Sequence, residues 1–286
     1  MDISLAFGGG GSRGAAHIGV IRVLERAGYR IKAVAGTSIG SIVAGLYATG
    51  KTADDLEKIF SAVDQSRLYG WPLSEGPGLL GLRGIADLLR PHLGESTFDD
   101  LAIPCAVVAV DLHSNREIIL QEGRVLDAIL GSIAIPGIFP PRDYPPYLLV
   151  DGGVLDPVPV RAARALMPNL PVVAVTLMPP LDAPTTPLTL PIPGPIAETI
   201  QRLNITQAVR IFADAIEIGQ RQMTELRFQL DRPEVIIRPD VMDIGILDNI
   251  SVPEVARRGE MAALEALKDL RRTTNWSSRL LRRLRS

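Results

Sequence analysis

The chain has 286 residues, 47% of them hydrophobic, and a formal net charge of −2. This length can bury one large core or two modest ones, and the weak negative charge argues against a protein whose main partner is nucleic acid. The single cysteine, Cys105, excludes an intrachain disulfide and favours a reducing compartment.

The N-terminus shows no secretory signal pattern, because residues 3–7 (ISLAF) follow Met1-Asp2 without a basic segment or a small-residue cleavage site. The uncharged run 33–50 approaches the length of a membrane span. Four glycines and two serines interrupt that run, so a buried strand followed by a helix explains it better. We therefore expect a cytoplasmic protein.

Short apolar strands alternate with helical patterns in the front half, which predicts an α/β fold with a parallel sheet. The elements predicted up to residue 62 are strand 3–7, helix 15–27, strand 32–35, and helices 39–49 and 53–62, the last capped by Thr52. Residues 71–84 are predicted as an irregular surface loop. The next predicted strands are 103–110, with Cys105 buried in it, 116–120, antiparallel to 103–110, 147–150 and 172–177.

The back half is divided by a proline-rich segment. Seven of the 17 residues from Pro179 to Pro195 are prolines, a density that excludes regular structure. It is typical of a stiff linker or of a lid beside a site. Beyond it the pattern predicts a helix over 196–230, strand 235–238 and helix 252–269, and we treat 1–270 as a single domain.

Residues 271–286 form a distinct basic tail, with six arginines, no acidic residue, Trp276 and three leucines. A basic amphipathic segment can bind an anionic bilayer. The alternatives are a solvated terminus and a helix docked on a partner. The tail thus predicts peripheral contact with the inner face of the membrane, and the oligomeric state stays open.

The most informative motif is Gly36-Thr37-Ser38-Ile39-Gly40, which lies between a predicted strand and a predicted helix. A serine flanked by glycines at such a turn is typical of a nucleophile elbow. The serine oxygen would lie at the strand end, close to helix N–H groups that favour developing negative charge. Ser38 is therefore the candidate nucleophile, although a tight packing turn is an alternative explanation.

A glycine-rich segment, residues 8–14 (GGGGSRG), joins the first strand to the first helix. Gly9, Gly11 and Gly14 match the dinucleotide fingerprint, which also requires an acidic residue about 20 positions later. No Asp or Glu occurs over 30–51, so we expect no nucleotide cofactor. Consecutive glycines can instead direct backbone N–H groups into an oxyanion hole.

The chain has three histidines, His17, His92 and His113. A hydrolase triad of the α/β type has its histidine last in chain order, and no histidine follows Asp151. His17 is expected to cap or pack the first helix, and the other two are expected at the surface. A Ser–His–acid triad is therefore poorly supported.

A carboxylate offers a different base. Asp151-Gly152-Gly153 follows the predicted strand 147–150, and strand C-termini converge on one crevice in a parallel sheet. Ser38 and Asp151 could therefore meet, and a carboxylate within hydrogen-bonding reach of a hydroxyl can act as its general base. A simple Asp-Gly turn is the alternative.

Together, these motifs resemble the patatin-like phospholipase family, in its bacterial short form. The resemblance covers residues 5–160 and lies in the segments 9–14, 36–40, 132–141 and 151–153. Gly131 stands where the family pattern leads us to expect alanine. The resemblance is weak beyond Pro179.

The resemblance implies a three-layer α/β/α sandwich with a mostly parallel central sheet, and hydrolysis of lipid acyl esters without a metal or cofactor. It assigns Ser38 as the nucleophile, Asp151 as the base, and the N–H groups of Gly10 and Gly11 as oxyanion donors. Arg13 would position the glycine-rich loop or a lipid phosphate. The alternatives are an acyltransferase that uses the same acyl-enzyme and a membrane-associated regulatory module with little activity.

Overall fold

The computed structural model describes residues 1–64, 68, 78, 80–183 and 205–273, without the side chains of 205–210 and 213. Within these ranges the strands are β1 (Asp2–Phe7), β2 (Arg30–Thr37), β3 (Cys105–Asp111), β4 (Arg116–Leu120), β5 (Arg142–Tyr144), β6 (Tyr147–Asp151), β7 (Val172–Val175) and β8 (Val235–Ile237). The helices are α1 (Ala15–Arg26), α2 (Ile39–Ala48), α3 (Ala53–Ser61), α4 (Arg83–Leu93), α5 (Val125–Ser132), α6 (Val160–Leu166), α7 (Ile205–Asp231) and α8 (Val252–Thr273).

One mixed sheet organises the described chain, in the order β5-β6-β3-β2-β1-β7-β8, with β4 also paired to β3. The pairings among β1, β2, β3, β7 and β8 are parallel. Those of β3 with β4, β3 with β6 and β5 with β6 are antiparallel. The predicted antiparallel strand 116–120 and the mostly parallel centre of the sheet are both confirmed.

The two faces of the sheet differ in side-chain size, because alternate residues of a strand point to opposite faces. Ala6 is in register with Ala35 and with Ala174, and Ala35 with Ala106. This row of small side chains is buried against α6 and Phe228 of α7. Larger side chains on the other face join α1, α2, α5 and α8 in the main core, which gives the predicted three layers.

The predicted cap of α3 is confirmed. The Thr52 hydroxyl accepts a hydrogen bond from the Asp55 N–H at 3.2 Å, and the Asp55 carboxylate accepts one from the Thr52 N–H at 3.1 Å. This reciprocal capping satisfies two of the N–H groups that a helix start leaves unpaired. It fixes the start of α3, which forms one wall of the cavity described below.

Several elements were not predicted, namely α4, α5, α6 and the short strand β5. The predicted C-terminal boundary of the loop 71–84 is two residues too late, because α4 begins at Arg83. The buried side chains of α4 are spaced at Ile85, Leu89 and Leu93, the helical pattern that identifies it. Of the rest of that loop, only residues 78 and 80–82 lie within the described chain.

The back half departs from expectation at one helix end. α8 continues to Thr273, beyond the predicted end at residue 269, so Arg271 and Arg272 lie in its last turn. Three predicted segments lie wholly or partly outside the described residues: most of the proline-rich segment (184–195), the start of the predicted helix 196–230 (196–204), and residues 274–286 of the tail. Among the helices that the structure describes, none combines the length and apolar character needed to span a bilayer.

Candidate active site

Ser38 occupies a sharp turn between β2 and α2. Its backbone has φ 54° and ψ −128°, a conformation that non-glycine residues seldom adopt, and its side chain is 7% exposed. A Cβ at Gly36 would lie 2.2 Å from the Gly40 carbonyl oxygen, and one at Gly40 would lie 2.2 Å from the Phe7 oxygen. The predicted elbow geometry, with glycines required on both sides of Ser38, is confirmed.

The structure brings Ser38 and Asp151 together. The Ser38 hydroxyl donates a 2.6 Å hydrogen bond to Oδ2 of Asp151. The other carboxylate oxygen, Oδ1, accepts a 2.7 Å hydrogen bond from the Gly153 N–H, in the short 3₁₀ turn that follows β6. Both oxygens are therefore oriented, and the carboxylate is held against the serine.

The route by which these residues meet differs from the prediction. β6 runs antiparallel to β3, so Asp151 does not lie at the C-terminus of a parallel strand. Thr37 at the end of β2 is in register with Val108, and Asp151 at the end of β6 is in register with the next residue, Ala109. Two strands of opposite direction thus end at neighbouring positions of β3, and their ends adjoin.

Burial raises the pKa of Asp151 to about 6 from an ordinary value of 3.8, although hydrogen bonds from Ser38 and Gly153 lower it. The carboxyl is 2% exposed. A carboxylate with a pKa near neutrality is a stronger base than an exposed aspartate and is still ionised at neutral pH. Asp151 therefore has the position and the basicity to accept the Ser38 proton.

Ser132, at the end of α5, is a positioning residue to which the sequence assigned no role. Its hydroxyl accepts a 2.9 Å hydrogen bond from the Ser38 N–H and donates one of 2.6 Å to the Val108 carbonyl. The side chain is fully buried. It thereby ties the serine elbow to β3, the strand that also aligns Asp151.

The glycine-rich loop, residues 8–14, leaves two backbone donors unused. The N–H groups that donate within the fold are those of Gly8 to Val175, Gly9 to Pro157, Ser12 to Ile246 and Arg13 to Gly10. In the described part of the chain, the N–H groups of Gly10 and Gly11 have no acceptor. The loop lies against Ser38, because a Cβ at Gly9 would be 3.2 Å from the Ser38 Cβ.

A distant segment, residues 244–248, holds this loop in place. The Ser12 N–H donates to the Ile246 carbonyl at 2.9 Å, and the Ser12 hydroxyl donates to the Asp248 carbonyl at 2.7 Å. Gly11 has φ +57°, and a Cβ there would lie 2.0 Å from the Ile246 oxygen. The loop conformation thus depends on contacts made more than 230 positions along the chain.

Arg13 is fully buried, and its Nε donates a 2.6 Å hydrogen bond to the Ile244 carbonyl. Its guanidinium lies 3.8 Å from Glu217 of α7. Arg13 lines neither of the cavities that open at Ser38. The geometry supports its predicted role in positioning the loop and does not support contact with a lipid phosphate.

Among the described residues, no histidine forms a hydrogen bond with Ser38 or Asp151. His17 is fully buried, burial lowers its pKa to about 4, and its Nε2 donates a 2.8 Å hydrogen bond to the Gly8 carbonyl. His113 is exposed and His92 is half-buried. His17 therefore packs beneath the glycine-rich loop. This agrees with the packing role that was predicted for it as the alternative to helix capping.

Two cavities open at Ser38. The first, about 120 Å³, has almost entirely apolar walls, which include Ile42, Phe60, Leu68, Leu88, Leu89 and Phe139; we call it the apolar cavity. The second, about 50 Å³, is lined by one side of α7, which includes Phe212, Asp214, Glu217 and Gln220; we call it the α7 cavity. Gly11, Ser38, Ile135 and Ile246 lie in both. Among the described residues, no cluster of three or more His, Cys, Asp or Glu side chains is arranged to hold a metal ion.

Comparison with known proteins gives consistent matches. The family model described as patatin-like phospholipase matches residues 5–164. An uncharacterized NTE family protein of Mycobacterium tuberculosis is 37% identical over 177 residues, which are 61% of this chain and 49% of that protein. A second NTE family protein of the same organism is 30% identical over 292 residues, 93% of this chain and 46% of its own length.

Lysophospholipase NTE1 of Mycosarcoma maydis is 34% identical over 175 residues, 58% of this chain and 9% of that protein. The crystal structure of VipD from Legionella pneumophila shares the fold, with a TM-score of 0.57 at 14% identity over 93% of this chain and 66% of VipD. The chain spans about half the length, or less, of the curated relatives that it matches.

Proposed function

Because the chain belongs to the patatin-like phospholipase family, we propose that it is a serine acyl hydrolase that cleaves acyl esters of phospholipids or lysophospholipids. The observation that carries the proposal is the 2.6 Å hydrogen bond from the Ser38 hydroxyl to Asp151. The nucleophile and its base are already within the distance that proton transfer requires.

In the first step, the Ser38 oxygen attacks the ester carbonyl carbon while its proton passes to Oδ2 of Asp151. The carbonyl oxygen becomes negatively charged, and the unused N–H groups of Gly10 and Gly11 donate hydrogen bonds to it. Such donors contribute roughly 10²–10³-fold each to the rate of acyl transfer. The carbon–oxygen ester bond then breaks, the leaving alcohol takes the proton from Asp151, and an acyl-enzyme remains on Ser38.

In the second step, Asp151 accepts a proton from water as the water oxygen attacks the acyl carbonyl. The same two N–H groups stabilise the second oxyanion. Collapse of this intermediate releases the fatty acid and returns the proton to Ser38. One carboxylate thus acts as base and then as acid in each half-reaction, a cycle that is aided by a pKa of about 6.

The cavities support a lipid as the substrate. An acyl chain would lie in the apolar cavity, whose walls contribute apolar side chains from α2, α3 and α4. The alcohol part would lie in the α7 cavity, which carries Asp214, Glu217 and Gln220. The name of the lysophospholipase relative from Mycosarcoma maydis agrees with this substrate class.

The test compares the wild type with Ser38→Ala and Asp151→Asn on p-nitrophenyl esters of graded chain length, followed by lysophospholipids. We expect turnover by the wild type, with a burst of nitrophenol if deacylation is slow, and loss of turnover in both variants. Labelling by a fluorophosphonate should disappear in Ser38→Ala. Turnover that persists in folded Ser38→Ala would overturn the mechanism, and circular dichroism verifies folding.

A further inference from the structure

Over residues 211–231, whose side chains are described except at 213, the charged side chains of the 27-residue helix α7 are buried or half-buried and its exposed side chains are uncharged. This is the reverse of the usual pattern of a surface helix. The side chains exposed to solvent form one set, which we call the α7 face: Ile211, Phe212, Ala215, Ile218, Gly219, Gln222, Leu226, Gln229 and Leu230. None of them is charged. Ile218 is 53% exposed, Leu226 is 52% exposed and Leu230 is 76% exposed.

The acidic and basic residues of α7 from Asp214 onward are turned away from this face. Glu217 pairs with Arg221 at 2.7 Å, and Glu225 pairs with Arg238 at 2.6 Å. At about 100° per residue, the exposed side chains span an arc of roughly 120° that excludes these charges. A surface helix ordinarily presents its charged side to water, so the α7 face is built to contact something other than water.

The α7 face is continuous with the mouth of the cavity at Ser38. Phe212 is 49% exposed and also lines the α7 cavity, where its ring would lie 3.1 Å from a Cβ at Gly137. The entrance to the candidate site and the uncharged face are therefore one surface.

The size of the α7 face argues against a second copy of the chain. From Ile211 to Leu230 the helix spans about 29 Å and is about 10 Å wide, so the face covers roughly 300 Å². A stable protein–protein interface buries roughly 800 Å² per partner. A copy seated on the face would also cover Phe212 and the cavity mouth, which the substrate must reach.

We propose that the α7 face docks on the surface of a lipid bilayer and inserts its apolar side chains among the acyl chains. The choice of a bilayer as the partner rests on the proposed function, because a lipid hydrolase gains its substrate where its cavity meets the membrane. An apolar helix face of this kind lies in the membrane interface plane, where its affinity depends on buried apolar area. The contact differs from the predicted contact of residues 271–286, which depends on anionic lipid.

The test measures co-sedimentation of the full chain with vesicles of phosphatidylcholine alone, which removes attraction between arginines and anionic lipid. The test variant is Ile218→Glu/Leu226→Glu. Its matched control is Met261→Glu/Leu264→Glu on α8, where both side chains are 57% exposed. We expect the test variant to bind vesicles at least tenfold more weakly than the wild type, and the control to bind as the wild type does.

Hydrolysis of soluble p-nitrophenyl butyrate separates docking from chemistry. The test variant should retain that activity and lose hydrolysis of vesicle lipid, whereas Ser38→Ala should still bind vesicles. If the glutamates unfold the chain, Ile218→Gln/Leu226→Gln replaces them. The proposal is overturned if the wild type does not bind these vesicles, or if the test variant and the control variant bind equally weakly. It is also overturned if light scattering shows that the wild type and the control variant are dimers and that the test variant is a monomer. Absence of esterase activity would contradict the proposed function and leave the binding result valid.

Discussion

The Ser38 hydroxyl donates a 2.6 Å hydrogen bond to Asp151, although Ser38 directly follows β2 and Asp151 ends β6, a strand that runs in the opposite direction. β3 brings them together, since β2 and β6 end at consecutive residues of that strand. The contact is therefore a property of the sheet and not of a mobile loop. A group held in this way needs little rearrangement to begin proton transfer.

The pH profile of kcat/KM should report the ionisation of Asp151, provided that this carboxylate is the base. Its pKa is about 6, and only the ionised form can accept the Ser38 proton. We expect kcat/KM to be constant above neutrality and to fall about tenfold per pH unit below about pH 6. Steady-state hydrolysis of a short p-nitrophenyl ester from pH 4 to 8 measures the profile.

A histidine base would produce a similar acidic limb, so the three single variants His17→Gln, His92→Gln and His113→Gln serve as controls. The variants His92→Gln and His113→Gln should have the same pH profile as the wild type. His17→Gln is expected to affect stability, since that side chain is buried on the Gly8 carbonyl. A profile that is flat to pH 4 would rule out Asp151 as the titrating base.

The elbow conformation of Ser38 and the proximity of Ser38 to Asp151 could be predicted from sequence, because each residue lies in a recognisable local motif. A serine between two glycines at a strand–helix junction leaves few alternative backbones, and the steric clashes at Gly36 and Gly40 confirm that logic. Asp151 was located by its position after an apolar strand. The predicted direction of β6 was wrong, because the four-residue apolar run 147–150 carries no signal of the orientation of its partner strand.

The support of the site could not be predicted, because it comes from long-range contacts. Ser132 lies 94 positions from Ser38 in sequence, and the Ser12–Asp248 hydrogen bond joins residues 236 positions apart. A single serine or a carbonyl group leaves no pattern in a sequence. The sequence of α7 shows an apolar side and a charged side, but an amphipathic pattern does not say which of the two sides faces solvent.

Replacing Ser132 by alanine should impair both stability and catalysis. The Ser38 N–H and the Val108 carbonyl would lose their partner, and a buried unsatisfied group costs about 1–3 kcal/mol. Displacement of the elbow should lower kcat by about tenfold to a hundredfold. Thermal unfolding and ester hydrolysis measure the two effects.

Ser41→Ala is the matched control for that variant. The Ser41 hydroxyl is also buried and bonds to the Ser38 carbonyl at 2.6 Å, but the Ser41 N–H donates to the same oxygen at 2.8 Å. One partner therefore remains when the hydroxyl is removed, and kcat should change little. Equal losses in the two variants would mean that Ser132 has no special role in placing Ser38.

Ser12→Ala should weaken stabilisation of the transition state more than binding of the substrate. It removes the hydrogen bond to the Asp248 carbonyl that helps to hold the loop of Gly10 and Gly11. We expect a several-fold fall in kcat with little change in KM, since an interaction made only in the transition state affects kcat. A trifluoromethyl ketone should lose affinity in parallel with kcat. A rise in KM alone would contradict this role.

The apolar cavity should determine the accepted length of the acyl chain. Leu88 lines it and is only half-buried, so Leu88→Trp should narrow the cavity without overpacking the core. We expect unchanged kcat/KM for the butyrate ester and a loss of roughly tenfold or more for the palmitate ester, as chain carbons lose their buried site. Leu264→Trp, an exposed position on α8, controls for the added indole. An equal loss on both esters would place the acyl chain elsewhere.

Asp156→Asn should stabilise the protein increasingly as the pH rises. The Asp156 side chain is fully buried, and neither of its oxygens has a hydrogen-bond partner among the described residues. Burial raises its pKa from 3.8 to about 8, and the nearby Arg227 offsets this only in part.

The pKa of Asp156 is therefore higher in the folded chain than in the unfolded chain. The stability that this difference contributes is present below the unfolded-state pKa and is lost as the pH rises through the folded-state pKa. Between about pH 4 and pH 8, the ionisable side chain should therefore cost the wild type up to about 1.4 kcal/mol per pH unit, a cost that asparagine does not incur. The difference in Tm between Asp156→Asn and the wild type should grow across this window, and Asp143→Asn, which removes an exposed carboxyl on β5, should show no comparable trend. Parallel Tm curves for Asp156→Asn and the wild type would show that this carboxyl is already ionised in the folded protein.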